Sequence, residues 1–557
     1  MQFRWNHTQG EPDYDRETGF GFVTGAVYTA DAGLHIPETN SGFLPLWWYA
    51  GTPISDIQQS EYGLQATAAE ALRTEDAADR RLPVWLRIQV PGEGVYRAEI
   101  TVTGTDGGEV LVFTGRRRLA WRGVLPAGAQ QIVTAYCDVF PIVPRGQADA
   151  VDSDAVNIAV VGGALSAVAL AEAPHTRRIW VCGDSTVTDQ TGELPYAPGT
   201  SYAGWGQMLP AYLPEVCITN HAHSGLTTES FLSEGHWAIV KPRLRAGDIC
   251  LFQFGHNDQK LAHLQARGGY TDRLRTYIKE TRTARAVPVL ITPLARNSWR
   301  DPTHYNDFLA DFADAVLDLG KEEAVPVLDL HAYAMQLIRQ EGLETAKRWF
   351  YPGDYTHTND FGAYRMAGFV AGALGKAVGL PVADSPAWTP APPFAPLTPP
   401  KDCALPAPDT DPFADYDATR PQEVLTRAEA LELAIKALKL FPINVYNDLY
   451  ADIVGHETYA GTVQCAAQND LIPAAWVADG RLYPQRTVTA ADFLAVLMPG
   501  AAGRRPLAAP SPLPDSVPAY ARFAAGQAVA EQLISADSLN DPITRSDAAA
   551  LCRRLHI

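Results

Sequence analysis

Along the first 173 residues, apolar and polar positions alternate. Val84, Leu86, Ile88 and Val90 are interleaved with Trp85, Arg87 and Gln89. Beyond Pro91-Gly92-Glu93-Gly94, Tyr96, Ala98, Ile100 and Val102 are interleaved with Arg97, Glu99 and Thr101. A period of two on either side of a Gly-rich turn predicts a β-hairpin with one buried face. Stretches 110–114, 132–139, 158–161 and 165–170 continue the pattern. An antiparallel β-sandwich over 1–173 is the natural way to bury so many one-sided strands.

The pattern changes at 174. Continuous apolar runs at 179–182, 216–220, 249–254, 287–292 and 325–330 alternate with helix-compatible stretches such as 270–285 and 305–319. Strands that are apolar throughout, separated by helices, predict an α/β domain over 174–380, a parallel sheet covered on both faces. Ligands of such sheets bind beyond the C-terminal strand ends, so the chemistry is sought in the residues after each strand. Residues 381–414 form a linker, since eleven prolines fall between Pro381 and Pro412 and hold the chain extended. The last segment, 415–557, repeats. Thr426-Arg427-Ala428-Glu429, Thr489-Ala490-Ala491-Asp492 and Thr544-Arg545-Ser546-Asp547 each open an apolar helical run. Thr followed three residues later by an acid is a capping-box start, so this segment reads as a mostly helical domain of repeated small units.

Composition narrows the function. The 557 residues carry 63 acidic and 45 basic side chains, a net charge of −18. Such a surface repels polyanions, so nucleic acid is not an expected partner. The stretch nearest to a membrane span, 155–171, is broken by Asn157, Gly162-Gly163 and Ser166, and reads as two short strands instead. The start, Met1-Gln2-Phe3-Arg4-Trp5-Asn6-His7, has no apolar signal core. As it stands the chain is expected in the cytoplasm, or at the cell wall or outside the cell if a leader has been removed. Seven scattered cysteines suggest no disulfide framework, and none has metal-site spacing, so neither a metal nor another cofactor is expected.

Four blocks carry candidate chemistry, each following a predicted strand or preceding a helix. Gly183-Asp184-Ser185-Thr186 puts a serine on a strand-end turn, where its hydroxyl needs a neighbouring base to attack. His221-Ala222-His223-Ser224-Gly225 offers a backbone N–H at Gly225, and Gly255-His256-Asn257-Asp258 offers the Asn257 side-chain amide. Both are donors suited to a developing oxyanion. In Asp354-Tyr355-Thr356-His357 the spacing of three lets the carboxylate hold one imidazole nitrogen while the other faces Ser185. Taken singly, each block is ordinary turn chemistry. Their order along the chain is what gives them weight.

That order resembles the SGNH, or GDSL-type, hydrolases, over about 200 residues. Gly183-Asp184-Ser185-Thr186-Val187, Gly204-Trp205-Gly206-Gln207, Phe254-Gly255-His256-Asn257-Asp258 and Thr356-His357-Thr358-Asn359 are similar to the rhamnogalacturonan acetylesterase branch. The resemblance implies a flavodoxin-like sheet and Ser185, His357 and Asp354 as nucleophile, base and orienting acid. It also implies an oxyanion hole from Ser185, Gly225 and Asn257, with Asp184 as an anchor of the turn. The implied function is removal of O-acetyl groups from plant cell-wall glycan, pectic rhamnogalacturonan first, with acetyl xylan or acetyl mannan oligosaccharides as the alternative. Leu226 stands where that branch often has a polar or basic residue, which removes a contact to an acidic sugar. The first segment resembles the galactose-binding jelly rolls of carbohydrate-active enzymes, with Trp47-Trp48-Tyr49 as a sugar platform or a packing cluster. The last resembles S-layer homology modules, with Ala490 in place of the usual arginine of the middle repeat. It is expected to contact glycan or to mediate packing or homo-oligomer assembly. A glycan- or wall-binding protein with an inert hydrolase layer is the competing class, but it has no physical need for every catalytic position to be filled. A lipid or thioester hydrolase would need a long apolar groove, whereas Trp299, Arg300, Asp301, His304 and Tyr305 are more typical of a sugar surface.

Overall fold

A computed structural model describes residues 17–23, 55–68, 82–143, 149–190, 198–261, 263–301, 304–390, 411–438, 449–453, 457–502 and 506–555. It also describes four short strands among residues 2–44 and the single positions 192, 196 and 440. Trp47-Trp48-Tyr49 and most of the proline-rich segment lie outside these residues. The chain divides into two compact units. One comprises 1–258, 266–297 and 309–398, and the other comprises 259–265, 298–308 and 399–557.

The first unit begins with two antiparallel sheets. Their main strands are β1 (Val84–Gln89), β2 (Gly94–Gly104), β3 (Glu109–Thr114), β4 (Arg118–Val124), β5 (Gln130–Val139), β6 (Ala155–Val161) and β7 (Gly163–Glu172). One sheet runs β5-β2-β7 and on to two earlier strands. The other runs β4-β3-β6-β1 and ends on Phe20–Phe22. Inward residues of both, among them Leu86, Ile100, Val112 and Ile158, share one core. The expected hairpin of β1 and β2 is not formed. They lie in different sheets, and the Pro91–Gly94 turn carries the chain across the core. The polar positions of β1 misled because they are buried too: Trp85 donates to Asn157 Oδ1 (3.1 Å) and Arg87 pairs with Asp154 (2.5 Å).

A parallel sheet follows, made of β8 (Arg178–Gly183), β9 (Cys217–Asn220), β10 (Ile249–Gln253), β11 (Val287–Ile291) and β12 (Val327–Leu328). Its spatial order is β9-β8-β10-β11-β12, so the chain reverses direction across the sheet between β8 and β10. Crevices form at such a reversal, beyond the C-terminal strand ends. The helices α1 (Thr271–Thr283), α2 (Ala310–Glu322), α3 (Leu330–Ala346) and α4 (Asp360–Val378) complete this layer. The expected strand at 325–330 shrinks to two residues because Asp329 caps α3, its carboxylate accepting the Ala332 N–H.

In the second unit the three predicted starts open α5 (Arg427–Ala437), α6 (Ala490–Ala502) and α7 (Arg545–Leu555). Thr426 and Glu429 form a reciprocal capping box, and Thr489–Asp492 and Thr544–Asp547 bond in the same sense. The residues just before these helices close a ring. Leu425 N–H donates to Ile543, Ile543 to Val488, and Val488 back to Leu425. The repeat is thus a threefold assembly around a common core. Arg427 and Arg545 are both buried and donate to loop carbonyls, Arg427 to Trp476 and Leu482 (2.6 Å each). Phe308 packs on the same core, and Trp299–Asp301 pairs with His304–Tyr305 as a short ribbon within this unit.

Candidate active site

The first block is built by the end of β8. Gly183 sits so close to β10 that a Cβ there would lie 2.6 Å from the Gln253 carbonyl oxygen, so only glycine fits. The chain then turns sharply on Asp184, which is fully buried. Its Oδ1 accepts the Thr186 N–H (2.9 Å) and hydroxyl (2.8 Å), and its Oδ2 faces His256 Nδ1 (3.1 Å). Burial pushes the Asp184 carboxyl up, but the His256 ring and the Thr186 donors outweigh it and hold the pKa below the ordinary value. The residue anchors the turn and presents Ser185.

The fourth block meets it there. Ser185 Oγ lies 2.8 Å from His357 Nε2, and His357 Nδ1 lies 2.8 Å from Asp354 Oδ2. Asp354 Oδ1 accepts the N–H groups of Thr356 (2.6 Å) and His357 (2.9 Å), so one carboxylate both shapes the turn and orients the ring. Burial raises the Asp354 carboxyl, yet the His357 contact and the two backbone donors bring it below its usual range. An ionised Asp354 requires the proton on Nδ1. The lone pair of Nε2 then faces the Ser185 hydroxyl, ready to take its proton.

Blocks two and three are tied to each other. Asn257 Nδ2 donates to the Leu226 carbonyl (3.0 Å), which leaves its second N–H for a ligand. Asp258 is fully buried and accepts the Thr228 N–H (2.8 Å), the Thr228 hydroxyl (2.5 Å) and the Gly255 N–H (3.0 Å). Burial, opposed by those donors, pushes its pKa up to about 7. Gly225 has φ +88°, a left-handed conformation that suits glycine. Neither its N–H nor that of Ser185 has an acceptor among the described residues. Two backbone donors and one side-chain donor are thus on hand at the crevice. Leu226 does not face it: the side chain is buried in the core beneath.

If Asn257 stabilises an oxyanion, Asn257→Ala should lower turnover of an aryl acetate by about 10²–10³, or roughly 2.7–4 kcal/mol. Its thermal melt should remain cooperative. A near wild-type rate would remove Asn257 from the chemistry.

Several residues at the site carried no signal in the sequence. Gln190 Nε2 donates to the Ser185 carbonyl (2.9 Å). Arg296, buried, donates to Thr356 Oγ1 (3.1 Å) beside the base. Tyr202 stacks on Tyr351 at 3.6 Å and turns its edge to His357 at 5.7 Å, forming an aromatic wall. Only the tertiary fold gathers these side chains, so no local spacing reveals them. Among the described residues, no group of three or more His, Cys, Asp or Glu side chains is arranged to hold a metal ion.

The comparisons with known proteins fit this geometry. The model of the GDSL-like Lipase/Acylhydrolase family matches residues 181–365, which contain all four blocks. Over 222 residues the chain is 33% identical to the rhamnogalacturonan acetylesterase RhgT of Bacillus subtilis (strain 168), a match covering 37% of this chain and 93% of that protein. It is 27% identical over 239 residues to the rhamnogalacturonan acetylesterase of Emericella nidulans, covering 39% of this chain and 90% of that one. A longer match, 24% over 360 residues, joins it to the uncharacterized esterase YxiM of Bacillus subtilis (strain 168), covering 64% of this chain and 82% of that protein. With a relative at 33% identity matched over nearly its whole length, and a serine, histidine and aspartate in hydrogen-bonded line at the strand ends, the chain belongs to the GDSL-like lipase/acylhydrolase family.

Proposed function

We propose that this enzyme, an SGNH-type carbohydrate acetylesterase, removes O-acetyl groups from plant cell-wall glycan, with acetylated pectic rhamnogalacturonan as its substrate. The observation that carries the chemistry is the 2.8 Å contact of Ser185 Oγ with His357 Nε2, backed by the 2.8 Å contact of His357 Nδ1 with Asp354. His357 takes the hydroxyl proton as Ser185 Oγ bonds to the acetyl carbonyl carbon. The carbonyl oxygen gains the negative charge and is met by the N–H groups of Ser185, Gly225 and Asn257. Collapse of this intermediate breaks the bond to the sugar oxygen, which leaves with the proton from His357. A water then gives a proton to His357 as its oxygen bonds to the acyl carbon of the acetyl-serine, and collapse breaks the bond to Ser185 Oγ, which takes the proton back from His357 as acetate leaves.

The substrate assignment draws on the two rhamnogalacturonan acetylesterases among the relatives, matched over 90% or more of their length. Tyr202 and Tyr351, both partly exposed beside His357, supply aromatic surface on which the apolar face of a sugar ring can pack, which supports a sugar substrate. The net charge of −18 does not argue strongly against a galacturonate polymer, because surface fields are screened within about 8–10 Å at ordinary salt.

Acetate release from acetylated rhamnogalacturonan, xylan and mannan oligosaccharides tests the reading, with Ser185→Ala as control. Fastest release from rhamnogalacturonan, lost in the control, is the expected result. Preference for xylan or mannan would keep the acetylesterase and change the glycan. No release from any of the three by folded protein would favour a glycan-binding role.

A further inference from the structure

Three consecutive arginines, Arg116 and Arg117 in the turn between β3 and β4 and Arg118 as the first residue of β4, would be left in solvent by a sequence reading. All three are buried, and Arg117 is 0% exposed. Arg117 also has φ +56°, a left-handed conformation that a non-glycine residue holds only where its surroundings over-determine it. Those surroundings belong to the parallel-sheet layer of the same unit. Arg117 Nη1 lies 2.5 Å from Asp360 Oδ1, its Nη2 donates to the Tyr202 carbonyl, and its Nε donates to the Gln190 carbonyl at 3.3 Å.

Each of these partners leads to the triad. Asp360 is the first residue of α4, three positions after His357, and is itself fully buried. Tyr202 pairs across a β-bridge with Asn359, and its neighbour Ala203 exchanges hydrogen bonds with Thr358 (3.0 and 2.6 Å). Thr358 and Asn359, the two residues that follow His357, are therefore clamped on the side that Arg117 grips. Gln190 is the residue whose side chain holds the Ser185 carbonyl. Arg116 extends the grip to the end of β9, just before the second block. Arg116 donates to the Asn220 carbonyl (2.8 Å) and lies 3.4 Å from Asp189, which in turn accepts the Asn220 side chain (2.8 Å).

We propose that Arg117 is a positioning residue of the hydrolase: the sandwich supplies, through this turn, the guanidinium that fixes the His357 turn and the Ser185 loop relative to each other. A planar fork with several fixed donors suits the task, since it can bind a carboxylate and two carbonyls of different loops at once. The sandwich is on this reading part of the catalytic apparatus and not an appended binding module. The inference rests on the Ser185–His357–Asp354 reading. Ser185→Ala tests that reading by itself, and the variants below test the inference.

The test is steady-state kinetics of the full chain on an aryl acetate, whose hydrolysis is independent of the natural glycan, at a temperature below all thermal midpoints. A misplacement of about 1 Å can cost about 10²-fold in rate, so Arg117→Met should lower kcat about 100-fold with KM within about threefold. Arg117→Lys, which keeps the charge but not the fork, should recover part of that loss. Glu93→Gln serves as control. It removes the Glu93–Arg243 ion pair (2.7 Å), which also joins sandwich to sheet layer but lies before β10, at the opposite end of the strands from the triad. It should leave kcat unchanged. Wild-type kcat in folded Arg117→Met, or the same loss in Glu93→Gln, would overturn the proposal by reducing the turn to inter-layer packing. If the methionine variant does not fold, Arg117→Lys and Asp360→Asn carry the test. Each should lower kcat about tenfold, and wild-type kcat in both would overturn the proposal.

Discussion

Ser185→Ala should reduce turnover by a factor on the order of 10⁶, the loss seen when a serine hydrolase surrenders its nucleophile, while the protein stays folded. The contrast follows from what the hydroxyl touches. Ser185 is only 8% exposed, and among the described residues its Oγ makes one hydrogen bond, to His357 Nε2. The turn that bears it is held by others: the Asp184 carboxylate, the Gln190 amide on the Ser185 carbonyl, and the Gln253 amide on Thr186 Oγ1 (2.7 Å). Removing one oxygen leaves these in place, so the thermal midpoint should move little. The covalent step gives a second readout. Wild-type enzyme mixed with excess aryl acetate should show a burst of phenol and a 42 Da gain on the Ser185 peptide, from the mass of an acetyl group replacing a proton. The alanine variant should show neither. A variant retaining more than about a thousandth of the wild-type rate would mean that another group attacks the carbonyl.

The parts of this fold that were legible in the sequence are those where local pattern and burial coincide. The runs at 179–182 and 249–254 match β8 and β10 within a residue or so at each end because both strands are buried on both faces, and continuous apolar character has no other cause there. Three of the four blocks could be read because a parallel sheet delivers the residues after each strand to one edge, and the fourth because it stands just before α4. Legibility failed where a polar side chain is buried by a partner distant in sequence. Arg87 looked like the solvent side of a hairpin but pairs with Asp154, 67 residues on. Arg117, in the sandwich turn, looks like part of a soluble loop and is buried against residues 73 to 243 positions away. Asp258 read as a turn former, and only the fold shows it binding Thr228 to Gly255. The helix expected at 305–319 begins instead at Ala310. The preceding residues, 298–308, belong to the second unit, a division that no periodicity encodes.

Asp354→Asn is the sharper test of the triad, since it keeps the side chain's shape while removing one negative charge and relocating the imidazole proton. The amide oxygen of the variant would keep accepting from the N–H groups of Thr356 and His357, which now bond Asp354 Oδ1, so the turn should persist. The amide nitrogen would then occupy the place of Oδ2, 2.8 Å from His357 Nδ1. An NH₂ is a donor there, and Nδ1 must turn from donor to acceptor, which moves the ring proton to Nε2. Nε2–H faces Ser185 Oγ and can no longer take its proton. The expected loss in kcat is about 10⁴-fold, the size found when the same exchange imposes the wrong tautomer in a serine protease. KM should be nearly unchanged, because Asp354 does not touch substrate in the proposed scheme. Asp354→Ala should separate the two functions of the carboxylate, losing the turn's acceptor as well and lowering the thermal midpoint, which Asp354→Asn should not. A rate for Asp354→Asn within tenfold of wild type would show that His357 reaches the correct tautomer unaided, and Asp354 would then be a structural element of the turn alone.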